Sequence, residues 1–110
     1  MEGAGLVFTK VALSTSGAST TLLLAAEALK YQRLHGLIIT VSAAALVEIE
    51  DIGGGTDTWA SWNLGSNGGL VMHFNRDPKS AIQSDTIGEG LQIVNSAGNL
   101  CGYAIVSTGE

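Results

Sequence analysis

Four carboxylates stand close together in the chain, Glu48, Glu50, Asp51 and Asp57, with Gly53–Gly55 among them. Carboxylate oxygens converging beside a flexible loop are what a calcium ion requires. The spacing matches no standard calcium loop, however, and Glu48 and Glu50 alternate with Val47 and Ile49 as the wet side of a strand does. The alternative, a calcium-dependent module, requires all four to meet at one ion. His35 and His73, the only histidines, have no second His or carboxylate at metal-ligand spacing, so each reads as an exposed or hydrogen-bonded side chain. Cys101 is the sole cysteine, which excludes an intrachain disulfide and reads as a small buried hydrophobe rather than a reactive thiol. The many Ser and Thr residues lack a G-x-S-x-G elbow or a neighbouring base, and neither GGGT nor GSNGG is followed by the Lys-Ser or Lys-Thr of a phosphate loop. The chain reads as a non-enzyme that needs no cofactor and no metal.

Trp59 and Trp62 are the remaining residues with recognition chemistry. Three apart on a strand, they face opposite sides, one towards the core and one towards solvent or a neighbour. An outward Trp suits an interface or a sugar-stacking platform.

The elements that must position these groups are short strands. Fifteen glycines and one proline interrupt runs rich in Val, Ile, Leu, Thr and aromatics, the spacing of strands and turns. The predicted strands are Leu6–Ser14, Ser19–Leu24, Tyr31–Ser42, Leu46–Ile52, Thr56–Asn63, Leu70–Asn75, Leu91–Ser96 and Cys101–Thr108. Alternation is clearest in ALVEIEDI. In GLVMHFN it sets Leu70, Met72 and Phe74 inward and Val71 and His73 outward. Leu91 and Ile93 share one face, and Tyr103 and Ile105 are read as a core pair in the same way. The segment Leu22–Leu34 has helical spacing and strong helix formers, but the β-rich context favours a strand end, a loop with one helical turn at Ala25–Leu29, and a long strand from about Lys30. Gly53–Gly55, Gly65–Gly69 and Asn95–Asn99 read as turns, with Asn67 and Gly68 suited to positive φ. The polar stretch from Arg76 to Gly90, which holds Pro78, reads as a long surface connection. The sum is an all-β, single-domain, eight-stranded antiparallel β-sandwich of jelly-roll type, with an N-terminal arm over residues 1–10 leading into the first strand and the sandwich over 11–110.

Composition bounds the partners. Charged residues make up only 14% of the 110 residues, while hydrophobic ones make up 45%, so much of the surface must be neutral, and neutral surfaces pack readily against copies or a larger assembly. The net charge is -5, with no basic run, which argues against nucleic acid. The N-terminal MEGAGLVFTK lacks the basic and apolar regions of a secretory leader, so cytoplasmic synthesis is expected. TLLLAAEAL and LIITVSAAALV fall short of the roughly 20 apolar residues a membrane helix needs, and no membrane partner is expected.

From Val11 to Val106 the chain resembles a group of small tailed-bacteriophage virion proteins of the jelly-roll head-decoration, or cement, type. The resemblance begins with STSGASTTLLLAA and ITVSAAALVEI and is clearest in LGSNGGLV (Leu64–Val71) and TIGEGLQIVNSAGNLCGYAIV (Thr86–Val106). Gly68, Gly69, Gly88, Glu89, Leu91, Ser96, Gly102 and Tyr103 occupy the pattern's turn and strand-opening positions. The loop NRDPKSAIQSD departs from it in lacking an aromatic residue.

The resemblance implies a protein that is made in the host cytoplasm, assembles with itself, as a trimer, on the outer surface of the virion head and bridges major capsid subunits there. The apolar, glycine-bearing N-terminus and the long polar loop are the expected contact segments. With the tryptophans, these give Leu6, Val7, Phe8, Trp59, Trp62, Arg76, Asp77 and Lys79 as candidate capsid or subunit contacts. A tail, fibre or spike module that binds a host glycan through Trp59 or Trp62 is the alternative on the same fold.

Overall fold

The computed structural model describes residues 7–52, 56–72, 82–83 and 88–109. These form strands β1 (Val7–Ser14), β2 (Ser19–Leu24), β3 (Tyr31–Val41), β4 (Ala45–Ile52), β5 (Thr56–Leu64), β6 (Gly69–Met72), β7 (Ile82–Gln83), β8 (Gly90–Asn95) and β9 (Leu100–Gly109). Eight of them answer to the predicted strands. The two-residue β7 lies inside the stretch read as a connection and pairs with Arg33 and Leu34 of β3. Among the described residues no helix is long and apolar enough to cross a membrane.

The pairings are nested and antiparallel. The first strand pairs with the last (β1 with β9), β2 with β8, β3 with β6, and β4 with β5. A long hairpin that rolls up on itself gives this nesting. Two further pairings, β9 with β3 and β8 with β4, then zip the roll into two sheets. Sheet I runs β1-β9-β3-β6, with β7 also on β3, and sheet II runs β2-β8-β4-β5. This is the double-sheet, Greek-key arrangement of a jelly roll.

Each strand contributes alternate residues to the core between the sheets. Leu37, Ile39 and Val41 of β3, Val47 and Ile49 of β4, Leu91 and Ile93 of β8, and Leu100, Ala104 and Val106 of β9 are all buried. Leu70 and Met72 of β6 and Trp62 of β5 pack against this core, and Val71 faces outward as expected. β9 reverses the predicted faces. Its register sets Ala104 opposite Leu37 and Val106 opposite Leu34, so Tyr103 and Ile105 point away from the core. Cys101 shares their parity and is exposed, not buried. The larger side chains had suggested the inward face, but the central strand of sheet I meets a core already filled by Leu13, Leu37 and Ile39, where Ala104 is the residue that fits.

The segment after β2 is irregular, with a turn at Ala28–Leu29 before β3. Leu29 holds φ at 63° and Lys30 N–H donates to the Glu27 carbonyl at 3.2 Å. Sheet pairing of the flanking strands overrides the helical propensity there. In the turn Gly65–Gly68, Gly68 N–H donates to the Gly65 carbonyl at 2.8 Å. Its positive φ falls on Asn67, at 59°, and not on Gly68. The Gly53–Gly55 loop lies outside the described residues.

The tightest backbone approach to a described glycine is at position 102. Gly102 lies on β9 at φ 138°, opposite Ile39, and a Cβ there would collide with the Ile38 carbonyl of β3. Gly102→Ala is therefore expected to cost about 3 kcal/mol or more, by backbone strain and loss of the central pairing. Gly17→Ala, at φ 76° with nothing within 4 Å of the added methyl, is expected to cost only about 1 kcal/mol. Urea unfolding of the two variants separates the effects; equal midpoints would show that the β3–β9 approach is not constraining.

Candidate functional site

The two outer faces of the sandwich differ in chemistry. On sheet I the cross-strand partners set Lys10, Ala12 and Ser14 of β1 beside Ile105, Tyr103 and Cys101 of β9. Tyr103 in turn lies beside Ile38 of β3, which pairs with Val71 of β6. Ile38 is 38% exposed and Val71 57%. A shallow groove of about 280 Å³ runs between them, lined by Gly36, Leu37, Ile38, Val71, Met72, Tyr103 and Ile105. The Lys10 ammonium sits 4.5 Å from the Tyr103 ring centroid, a cation–π contact that lays the lysine stem along the sheet. Among the described residues of these strands, Lys10 is the only exposed charge on this face.

At one end of the same face a bulge inserts an extra residue, His35, between Leu34 and Gly36. Its Nε2 is hydrogen-bonded to Ser107 Oγ at 2.7 Å, and the Phe8 ring packs edge-on at 4.9 Å between centroids. A Ser–His pair is a nucleophile–base arrangement in principle. Here Ser107 is wholly buried and His35 is 2% exposed, so no substrate carbonyl could reach the hydroxyl, and the pair serves to anchor β1 and β9 to the bulge. Next to it, Thr108 Oγ1 donates to Gln32 Oε1 at 2.6 Å and Gln32 Nε2 donates to the Ala25 carbonyl at 2.7 Å. Burial pushes the Arg33 guanidinium below its ordinary pKa, an effect the neighbouring Tyr31 opposes.

Sheet II presents carboxylates. Glu48 and Glu50 project from β4, and Thr58 Oγ1 is 3.3 Å from Glu48 Oε2 and 3.5 Å from Glu50 Oε2. Gln92 Nε2 of β8 donates to Glu50 Oε1 at 2.7 Å. Leu22 of β2, opposite Gln92, is 52% exposed. Asp51 departs from the other two carboxylates. It shares the inward parity of Val47 and Ile49, is fully buried, and accepts a 2.7 Å hydrogen bond from Trp59 Nε1. Strand alternation thus splits the acidic cluster between two faces, and Asp57 contributes no described side chain. Among the described residues no group of three or more His, Cys, Asp or Glu could hold a metal ion.

The tryptophans divide as expected, one exposed at 46% and one packed against the core, but for a different reason. A bulge in the β4–β5 register sets Thr58 opposite Glu50 and Ala60 opposite Ile49, leaving Trp59 as the extra residue. Its indole turns to the buried Asp51 and holds one ring edge inward while the rest stays open.

Of the predicted contacts, Leu6, Arg76, Asp77 and Lys79 lie outside the described residues, as does His73. Val7 opens β1 opposite Thr108. Phe8 is spent on His35, on sheet I, while Trp59 and Trp62 belong to β5 of sheet II, so the structure does not gather these residues on one surface. The apolar face formed by Ile38, Val71, Tyr103 and Ile105 was missed. Its signal was present in Leu37–Ile38–Ile39, where apolar residues of both parities leave one of them outward.

No family model matches the chain, and no curated protein matches it. Among solved structures it is similar to the infectious bursal disease virus VP2 subviral particle, at 14% identity over 94% of this chain and 32% of that one, with a TM-score of 0.36. It is also similar to the structure of the infectious bursal disease virus Gt strain, at 14% identity over 94% of this chain and 31% of that one, with a TM-score of 0.38. The chain spans about a third of the length of these structures.

Two outcomes follow from the geometry. Trp59→Phe keeps the ring but removes the donor to a buried carboxylate, and is expected to cost about 1–3 kcal/mol in urea unfolding; an unchanged midpoint would show that this bond anchors nothing. With Glu48 and Glu50 facing away from Asp51, calcium and chelator are expected to leave the melting temperature unchanged, and a calcium-dependent rise would refute the split of the cluster.

Proposed function

We propose that the chain is a head-decoration protein of a tailed bacteriophage, which assembles as a homotrimer on the outer surface of the capsid and stabilises contacts between major capsid subunits. The observation that carries the reading is the apolar outer face of sheet I, with Ile38 and Val71 exposed and Lys10 resting on Tyr103 at its other side. A rigid sandwich that leaves such a face in water gains from covering it, by about 25 cal/mol for each Å² of apolar surface removed. Buried Ser107 and the divided carboxylates support a role in association over one in catalysis. The phage assignment itself rests on the resemblance of the turn pattern from Gly68 to Tyr103.

A decoration protein works by repeated modest contacts, and oligomerisation raises the effective concentration of each contact after the first. Short Ser, Thr and Ala side chains on the described surface have little rotamer freedom to lose on docking.

Trp59 favours a second reading, as a tail or fibre module that binds a host glycan. The bond to Asp51 fixes the ring before any ligand arrives, as a stacking platform requires.

Localisation on purified particles tests both. Density repeated at capsid threefold or quasi-threefold axes is expected for decoration. Density confined to the tail, together with glycan-array binding lost in Trp59→Ala, would overturn it in favour of the second reading.

A further inference from the structure

We propose that the outer face of sheet I receives the outer face of sheet II from a second copy of the chain, with Lys10 of one copy paired to Glu48 and Glu50 of the next. The inference rests on the self-association named above for its biological purpose and adds to it a contact distinct from the one that closes a trimer.

The two faces complement each other in charge. Sheet I offers an apolar groove with one exposed cation at its side, and sheet II offers two adjacent carboxylates with the exposed Leu22 on the same face. At a net charge of -5 two copies repel weakly on average, so a contact that brings unlike charges together is favoured over one that does not. Sheet I against sheet I offers Lys10 no carboxylate among the described residues, and sheet II against sheet II brings glutamates from both copies to one contact. Among the described residues of the two faces, the mixed contact is the one that joins opposite charges while covering apolar surface at Tyr103 and Ile38.

Both partners are also held in place beforehand. Lys10 rests on the Tyr103 ring, Glu50 is held by Gln92, and Thr58 lies between Glu48 and Glu50. Side chains already ordered lose less rotamer entropy on pairing. Four strands at about 4.8 Å spacing give a face on the order of 500 Å² per partner, close to the roughly 1,000 Å² total at which a specific interface becomes credible. One such contact is weak, so association should depend on concentration. Because the contact joins two different faces, it is heterologous. The two faces look out from opposite sides of the sandwich, so the contact repeats as a stack of copies and does not itself close a trimer.

Sedimentation velocity across the micromolar range tests this with charge exchange. The wild-type protein is expected to associate. Lys10→Glu alone, and Glu48→Lys with Glu50→Lys, are each expected to weaken association at least tenfold by placing like charges across the contact. The three substitutions combined in one chain are expected to restore it. Melting curves confirm that each variant folds. The rate at which a maleimide reagent labels Cys101, exposed on the sheet I face, supplies a second readout, slowed in the wild type and the triple variant only.

A wild-type protein that stays monomeric, either charge variant that associates like the wild type, or a triple variant that fails to recover would each overturn the proposal. Absence of the protein from capsids would refute the decoration reading while leaving a contact restored by charge exchange intact.

Discussion

The last strand has to lie between the first and the third. β9 pairs with β1 from Val7 to Ser14 and with β3 from Tyr31 to Val41, and sheet I exists only once the C-terminal strand has entered. The insertion joins residues from opposite ends of the chain, so its loop entropy must be met before most of the core is formed. It also fixes the spacing of the two neighbours. The approach of Gly102 to the Ile38 carbonyl leaves no room for a side chain, and the bulge at His35 absorbs the change in register that follows farther along. The hydrogen bond between His35 and Ser107 then ties the bulge to the strand that made it necessary.

From this constraint follows the chemistry of the outer face. A strand at the centre of a sheet sends half of its residues outward into the middle of that face. The outward half of β9 is Cys101, Tyr103 and Ile105. Flanked by Ile38 on one side and Ala12 and Lys10 on the other, they give sheet I an apolar centre with one cation beside it. Sheet II has β8 and β4 at its centre, whose outward residues are Gln92, Val94, Leu46, Glu48, Glu50 and Ile52, and the same architecture there sets two carboxylates at the middle of the face. The difference between the faces is thus set largely by a few residues on central strands, joined on sheet I by Lys10 and Val71 from its edge strands.

Strand positions were legible in the sequence because glycine-rich turns separate them and because β4 carries an unambiguous alternating pattern. The inward set Val47 and Ile49 and the outward set Glu48 and Glu50 could be read directly, and the division of the acidic cluster was implicit in that reading. The face of β9 was not legible. Both of its parities carry apolar residues, and size favoured Tyr103 and Ile105 for the core over Ala104; the choice depends on the register with β3, which no local signal encodes. The two bulges were hidden for a related reason. His35 and Trp59 are ordinary residues whose extra position is defined only by the opposing strand, and a bulge changes which later residues share a face. Each of these side chains was therefore assigned its chemistry without the partner that decides it, Ser107 in one case and Asp51 in the other.

The bulge at Trp59 shows how a buried charge can shape a surface. An inward Asp51 among Val47, Ile49 and Leu91 would be costly to bury without donors, and the extra residue on β5 turns an indole N–H onto it. Satisfying the core carboxylate leaves the large remainder of the ring in solvent at the margin of sheet II. The exposure of Trp59 thus has a sufficient cause in folding alone, and exposure by itself does not mark the ring as a binding site. The outward apolar residues of sheet I are different. Neither Ile38 nor Val71 satisfies a buried polar group, and replacing either by a polar residue would leave the core between the sheets untouched. Nothing they contribute is to the described core, and for that reason the proposed contact is placed on sheet I rather than on the more conspicuous tryptophan.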